Sequence, residues 1–426
     1  MDMVAARRCG PLRRLNLLEL RRVLPGVLPA SILLMCLAGA VSTAPLAPPF
    51  TQHSMVAGPL RLRGGIMWVG GGRQFNRTVD PDAGPEAAVD TFEPLRVRAE
   101  AHNRIKALKS RQGAKFQSSE VITLEEEEKF LIMPQKMVRA KSLSINIEAG
   151  TSFQKFVVQD MEFQQQRVGI LYGTCDLAGN VRCEAVYEPP QEGDAEAYKV
   201  LEDPDFDRVD RVAALLGLRI VGSIFTARSR KCILSSQDIM LAARVQERVE
   251  KRMGYDAARA CVSGAISHNE TTGVVSFEAY QISDLCMDLY RRGYFKEPTN
   301  SNRGYARTSE DVLVERKPTS KVDTDFFLNS VAIQQHTSTV FGGREAHFPV
   351  ENRPTTGQNA LEVKHILKCH EEMPFQKRVS DFHLLLFLSS VLDGVETMPA
   401  LCKAVVENGV VADRHRQAVE AIAALA

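Results

Sequence analysis

Val221-Gly222-Ser223-Ile224-Phe225-Thr226-Ala227, followed by Leu234-Ser235-Ser236-Gln237-Asp238, is the stretch whose reading decides the fold. Residues 219–226 read as a buried strand, since the apolar run is continuous and too short for a helix. Ser235 and Asp238 have the N-cap and N3 spacing of a helix over 237–253, on which Glu247 and Lys251 form an i, i+4 pair. Upstream, Val209, Val212, Ala213 and Leu216 fall at i, i+3, i+4 and i+7, an amphipathic helix over 206–216 closed by Gly217. Residues 168–172 and 182–187 are short apolar strand candidates flanked by Gly and Pro. Downstream, 261–266 and 274–282 read as strands joined by a turn over 269–273, after which Ser283 caps a helix bearing Leu285, Cys286 and Leu289. Strands and helices alternate, so the fold class is α/β.

The layout resembles the zinc-peptidase signature of the JAMM/MPN domains, in which a strand delivers His-x-His and a following helix start delivers Ser and Asp. From 227, where the second His would stand, to Asp238 is 11 positions, the spacing of the active enzymes. Phe225 and Ala227 hold the two His positions, and neither offers a lone pair. Zinc needs three or four N, S or O ligands, so Asp238 alone does not hold it. In the active enzymes a general-base Glu stands three residues before a strand Gly; here Gln166 precedes Gly169, and an amide takes no proton from metal-bound water. The resemblance thus implies a degenerate site at Gln166, Phe225, Ala227, Ser235 and Asp238. No catalytic residue, metal or cofactor is expected, and Ser235 and Asp238 are read as helix caps.

Further segments narrow the resemblance. Tyr187-Glu188-Pro189-Pro190-Gln191, Leu201-Glu202-Asp203-Pro204 and Gly217-Leu218-Arg219-Ile220-Val221-Gly222 resemble the nuclear protein localisation protein 4 family. So do Phe277-Glu278-Ala279-Tyr280-Gln281-Ile282-Ser283, Phe348-Pro349-Val350-Glu351-Asn352-Arg353 and Ser380-Asp381-Phe382-His383-Leu384-Leu385-Leu386-Phe387-Leu388. The blocks occur in the family's order over roughly residues 140–410. The resemblance implies an inactive MPN core, residues 141–294, and a mostly helical C-terminal domain, residues 295–426. It also implies a non-catalytic adaptor that binds ubiquitin or ubiquitin-like chains. With a ubiquitin fusion degradation protein partner, such an adaptor serves a valosin-containing-protein type AAA ATPase.

The chain has 426 residues, 44% hydrophobic and 25% charged, ordinary values for a globular protein of one large or two smaller domains. A formal charge of +1 gives no nucleic-acid footprint. Nine cysteines without a CxxC pair argue against a secreted disulfide scaffold. Residues 1–44 have the anatomy of a signal peptide: Arg7, Arg8, Arg13, Arg14, Arg21 and Arg22, then an apolar core at 27–38 too short and Pro-broken for a permanent anchor, then small residues. Residues 45–80 carry Arg61, Arg63, Arg73 and Arg77 and no acid before Asp80, like a transit peptide. In tandem they resemble the leaders of proteins sent to complex plastids, where duplicated ER-degradation components help import preproteins. The expected site is the periplastid compartment; the alternative is the cytoplasm, nucleus or ER surface of an ordinary family member. Arg61-Leu62-Arg63-Gly64-Gly65 spells the ubiquitin tail, but a coincidence within a basic leader is the simpler reading.

Residues 81–140 match the family least, with a basic helix expected at 95–109 and a capping box at Thr123 opening an acidic helix. Family members usually carry a ubiquitin-like domain and zinc fingers there, yet no cysteine occurs between Cys36 and Cys175; a C-terminal zinc finger would need more than Cys402. Residues 296–330 read as an insertion or a loop-rich start to the C-terminal domain, and 359–369 and 380–392 as helices. Ser380 is the expected N-cap of the second, with Phe382, Leu385, Leu386 and Val391 in the core, and a helical tail covers 396–426. His365 and Cys369 are i, i+4, a spacing metals can use, but lack a third ligand. His383 is expected to be hydrogen-bonded in the core, and Cys261 and Cys286 have no base partner for nucleophilic catalysis. Asn76 and Asn269 open sequons without consequence for the fold. Two rivals to the adaptor are an isopeptidase with relocated ligands and a scaffold subunit without ubiquitin binding.

Overall fold

The structure, a computed structural model, describes residues 130–425 except 229–231, 270–273, 299–302, 316, 342–345, 355–356 and 393–395. The expected signal peptide and leader, the Arg61–Gly65 motif, the sequon at Asn76 and both helices expected before residue 130 lie outside the described residues, as does the tip of the turn at 269–273.

A barrel organises the described chain. After a short strand β1 (Leu131–Ile132) come β2 (Ser142–Asn146) and helix α1 (Ile147–Lys155), then an antiparallel pair, β3 (Val168–Cys175) and β4 (Asn180–Tyr187). A small hairpin, β5 (Gln191–Gly193) and β6 (Tyr198–Val200), leads to α2 (Phe206–Leu215) and β7 (Arg219–Ala227). The 18-residue helix α3 (Ser236–Met253) carries the chain to β8 (Val262–Asn269), which pairs parallel to β7 and antiparallel to β9 (Val274–Ile282). Helix α4 (Asp284–Arg291) follows, then β10 (Tyr305–Val314), β11 (Lys317–Asp323) and β12 (Leu328–His336). Seven strands close on themselves in the order β12-β2-β4-β3-β7-β8-β9. The C-terminal region is helical: α5 (Ala360–Cys369), α6 (Phe382–Val391), α7 (Thr397–Glu407) and α8 (Asp413–Ala424).

β7 explains why its sequence is apolar without alternation. Ile224 belongs to the core with α1 and strands β2 to β4, whereas its neighbour Phe225 packs with Ile239, Ala242 and Ala243 of α3. A strand buried on both faces gains nothing from a polar side chain on either. Gly222, with φ +151°, sits where the β3–β7 register slips by one residue. A Cβ there would lie 1.8 Å from the carbonyl oxygen of Val262. α2 buries Val209, Val212 and Ala213 and stops at Gly217, φ +73°, as its spacing predicts. Ser283 caps α4 by accepting from the Cys286 N–H.

Five expectations need correction or extension. The described residues of 305–323 are not loop-rich: β10 and β11 pair antiparallel, joined in parallel by β1, and most of their polar residues are exposed, with Thr308 buried and a bulge between Arg307 and Val312. The barrel takes its last strand, β12, from beyond the 294/295 boundary suggested by the sequence. The N-cap of α6 is Asp381, whose carboxylate accepts from the His383 and Leu384 N–H groups, while the Ser380 hydroxyl donates to the Lys377 carbonyl. Phe382, Leu385 and Leu386 are buried, but Val391 at the end of α6 is 43% exposed. The helical tail breaks at Asn408 in a left-handed conformation, φ +52°.

Replacing Gly222 with Ala combines a disfavoured φ with a clash against fixed backbone. Gly222→Ala should destabilise the protein by more than about 2 kcal/mol, read as a lower midpoint in urea denaturation.

Candidate functional site

The residues singled out around β7 converge at the start of α3. The Ser235 hydroxyl accepts from the Asp238 N–H at 3.2 Å, and the Asp238 carboxylate accepts from the Ser235 N–H at 2.8 Å, a reciprocal capping box. Asp238 is fully buried, and its other oxygen accepts the Tyr198 hydroxyl at 2.9 Å. The ring of Tyr198 in turn lies against Phe225, centroids 6.2 Å apart. Phe225 and Ala227 are both buried. Where a metal site would need open ligands, this site has an aromatic pair and a carboxylate whose two oxygens already serve donors.

Tyr198 reaches that position because the β5–β6 hairpin is fastened to the barrel. The Gln191 side chain brackets Val168, accepting from its N–H and donating to its carbonyl, both at 2.8 Å. Gln166 is buried, and its side-chain amide donates to the Glu196 carbonyl at 2.7 Å and the Ala195 carbonyl at 3.3 Å. Its backbone N–H donates to Asp194. The structure thus brings Gln166, Phe225, Ser235 and Asp238 into one neighbourhood and adds Tyr198, which the sequence alone did not single out. The available signal was a lone aromatic residue in a polar, Gly- and acid-rich hairpin.

A second convergence joins two of the family-like blocks. Glu188 is fully buried after β4 and accepts from Arg167 at 2.7 Å and from Arg353 at 2.6 and 2.9 Å. Both guanidinium groups also face the Phe156 ring. Asn352 donates to the Glu188 carbonyl at 2.8 Å, and Glu351 accepts the Glu188 N–H at 3.1 Å. His383 of α6 completes the junction with its Nδ1 2.7 Å from Glu351, so the expected hydrogen-bonded core histidine is present. Beside it lies a cleft bordered by Asn146, Glu184, Phe341, His347 and Asp381. Burial opposes the charge of Glu184, but His336, Ser338 and Arg182 outweigh it and hold its carboxyl down at about 2.

Cys369 and His365 face each other on exposed α5, Sγ to Nε2 3.5 Å. Among the described residues no group of three or more His, Cys, Asp and Glu side chains is placed to hold a metal ion. Burial pushes the thiols of Cys261 and Cys402 up to about 12, where a thiolate nucleophile is scarce. No helix among the described residues is long and apolar enough to cross a membrane.

A closed barrel with buried, internally satisfied polar groups at its β7–α3 corner, joined by an ion cluster to a helical C-terminal region, defines an α/β protein of the MPN-like core class. The sequence pattern of the NPL4 family matches residues 167–317 and 305–425, and the chain belongs to that family. It is 33% identical to NPL4-like protein 1 of Arabidopsis thaliana over 283 residues, which are 64% of this chain and 65% of that protein. It is 30% identical to the nuclear protein localization protein 4 homologs of Dictyostelium discoideum and Homo sapiens, covering 47% and 44% of those proteins. The chain therefore spans about two thirds of the plant relative and less than half of the others.

Two substitutions test these junctions. Tyr198→Phe removes a donor from a buried carboxylate and should cost about 1–3 kcal/mol in chemical denaturation with the far-ultraviolet spectrum unchanged. Glu188→Gln leaves two buried arginines without their counter-charge and should cost about 3–5 kcal/mol by the same measurement.

Proposed function

We propose that this chain is a non-catalytic adaptor that binds ubiquitin or ubiquitin-like chains and delivers modified proteins to an AAA unfoldase. In this reading Gln166, Phe225, Ala227, Ser235 and Asp238 occupy the positions of a degenerate JAMM site. The observation that carries the non-catalytic part is the donor set: Phe225 and Ala227 offer no lone pair, and Asp238 spends its oxygens on Tyr198 and Ser235. The Gln166 amide is committed to two hairpin carbonyls and would be a poor base even if free. Family membership supports the adaptor part. By the same resemblance the partners are a ubiquitin fusion degradation protein and a valosin-containing-protein type AAA ATPase. The signal-peptide and transit-peptide anatomy of residues 1–80 supports action in ER-degradation-like translocation into a complex plastid, in the periplastid compartment.

Binding is tested with the purified full-length chain against immobilised polyubiquitin, beside elemental analysis for zinc. Saturable chain binding with less than about 0.1 zinc per protein is the expected result. Stoichiometric zinc would revive the isopeptidase; loss of ubiquitin binding with the ATPase complex still formed would leave a scaffold subunit. For the compartment, a C-terminally tagged full-length chain should mark a rim or patch at a complex plastid. A chain starting near Asp80 should not.

A further inference from the structure

Helix α7 ends on the one Asn-Gly pair of the chain, Asn408-Gly409. Asn408 takes a left-handed conformation there, φ +52° and ψ +36°, which glycine and asparagine adopt more readily than other residues. Its own N–H and that of Gly409 both donate to the Ala404 carbonyl, the second at 2.8 Å, so the last turn of α7 is closed from beyond its end. The Gln376 amide, from the short helix Phe375–Arg378, donates to the Asn408 side-chain carbonyl at 3.5 Å. Asn408 itself is exposed, while Ala404 and Val411 on either side of the turn are buried in the core beneath.

The pair that suits this turn is also a reactive one. In an Asn-Gly sequence the glycine nitrogen closes a five-membered ring on the side-chain amide carbon of the asparagine, because glycine has no Cβ to obstruct the approach. The bond from nitrogen to Cγ forms, the Cγ–Nδ2 bond breaks, and ammonia leaves with the proton of the glycine N–H. Water then opens the succinimide at either carbonyl, giving Asp or an isoaspartate whose main chain runs through the side-chain carbon. In the folded protein both reacting groups are engaged, the nitrogen through its N–H to Ala404 and the side-chain carbonyl by Gln376. The ring closes once Gly409 has left Ala404 and the turn has changed its dihedral angles.

We propose that Asn408 is a site of spontaneous deamidation gated by the turn between α7 and α8: the hydrogen bond from Gly409 to Ala404 restrains the reacting nitrogen, and the amide is lost when the end of α7 opens.

The product acts back on the turn. Either acid places a carboxylate at the C-terminus of α7 beside Glu407, where the helix dipole opposes negative charge. Isoaspartate also lengthens the main chain between α7 and α8. Converted molecules therefore open more readily, and the C-terminal helices weaken with age.

The full-length chain is held at pH 8, native or in guanidinium chloride, and the tryptic peptide 404–414, bounded by Lys403 and Arg414, is followed by mass spectrometry. In guanidinium chloride Asn408 should convert to Asp and isoaspartate; in the native protein it should do so at least about tenfold more slowly. Val411→Ala, which removes a buried anchor of the turn, should speed the native reaction about threefold and leave the denatured rate unchanged. Asn408→Gly keeps the left-handed turn without the amide, and should show no conversion and melt like wild type. Asn408→Asp, which mimics one product, should melt about 1–3 °C lower. Equal native and denatured rates, an unchanged native rate in Val411→Ala, or an intact Asn408 in guanidinium chloride overturns the proposal; an Asn408→Asp protein as stable as wild type overturns the weakening with age.

Discussion

The fully buried carboxylate of Glu188, neutralised by Arg167 from one side and Arg353 from the other, is the interaction on which the rest of the architecture depends. A charge in that position is tolerated only with both partners in place. Each arginine comes from a different part of the chain, and the Arg353 segment also brings Asn352 to the Glu188 carbonyl and Glu351 to its N–H. The barrel and the approach to the C-terminal helices are therefore fixed to each other at one point, with Phe156 under both guanidinium planes. Apolar burial around α6 supplies the bulk of the attraction. The ion cluster selects which of many apolar packings is adopted, because a small displacement would leave charges unpaired.

The corner where β7 meets α3 is held together by the protein's own capping and packing needs. Ser235 and Asp238 satisfy the orphan N–H groups of a helix start, a requirement that exists with or without a metal. Tyr198 and Phe225 fill the adjoining space with ring atoms, and the hairpin that carries Tyr198 is held by two glutamines, Gln166 and Gln191. Its polar groups are satisfied from within: Asp238 by the Ser235 N–H and the Tyr198 hydroxyl, Gln166 by two hairpin carbonyls.

Much of this was legible from the sequence, and the misses have physical reasons. The α2 and α3 helices and the β7 strand announce themselves because periodicity, capping residues and Gly217 all agree. The β10–β11 hairpin was misread because its outward positions are Thr, Ser, Lys and Glu and a bulge interrupts its alternation, which leaves few apolar positions to count. β2 and β12 were not singled out: β2 is short, β12 is largely polar, and their pairing is set by barrel closure rather than by local preference. Asp381 displaced Ser380 as the α6 cap, a one-residue ambiguity that two adjacent capping residues cannot resolve locally. At the site, the positions on β7 and α3 were readable, whereas Tyr198 and the Glu188 cluster depend on residues brought together across 40 and 165 positions.

Closure of the barrel also dictates an order of events during synthesis. β2 lies between β4 and β12, and its pairing of Ser142 with Ala332 spans 190 positions (332 − 142). Until β12 has left the ribosome, β2 and β9 each present an unpaired edge, and such edges are prone to pairing with other chains. Loop-closure entropy makes so distant a contact slow to form. The chain therefore carries two open edges from the emergence of β9 until that of β12, which places a premium on chaperone cover across that interval.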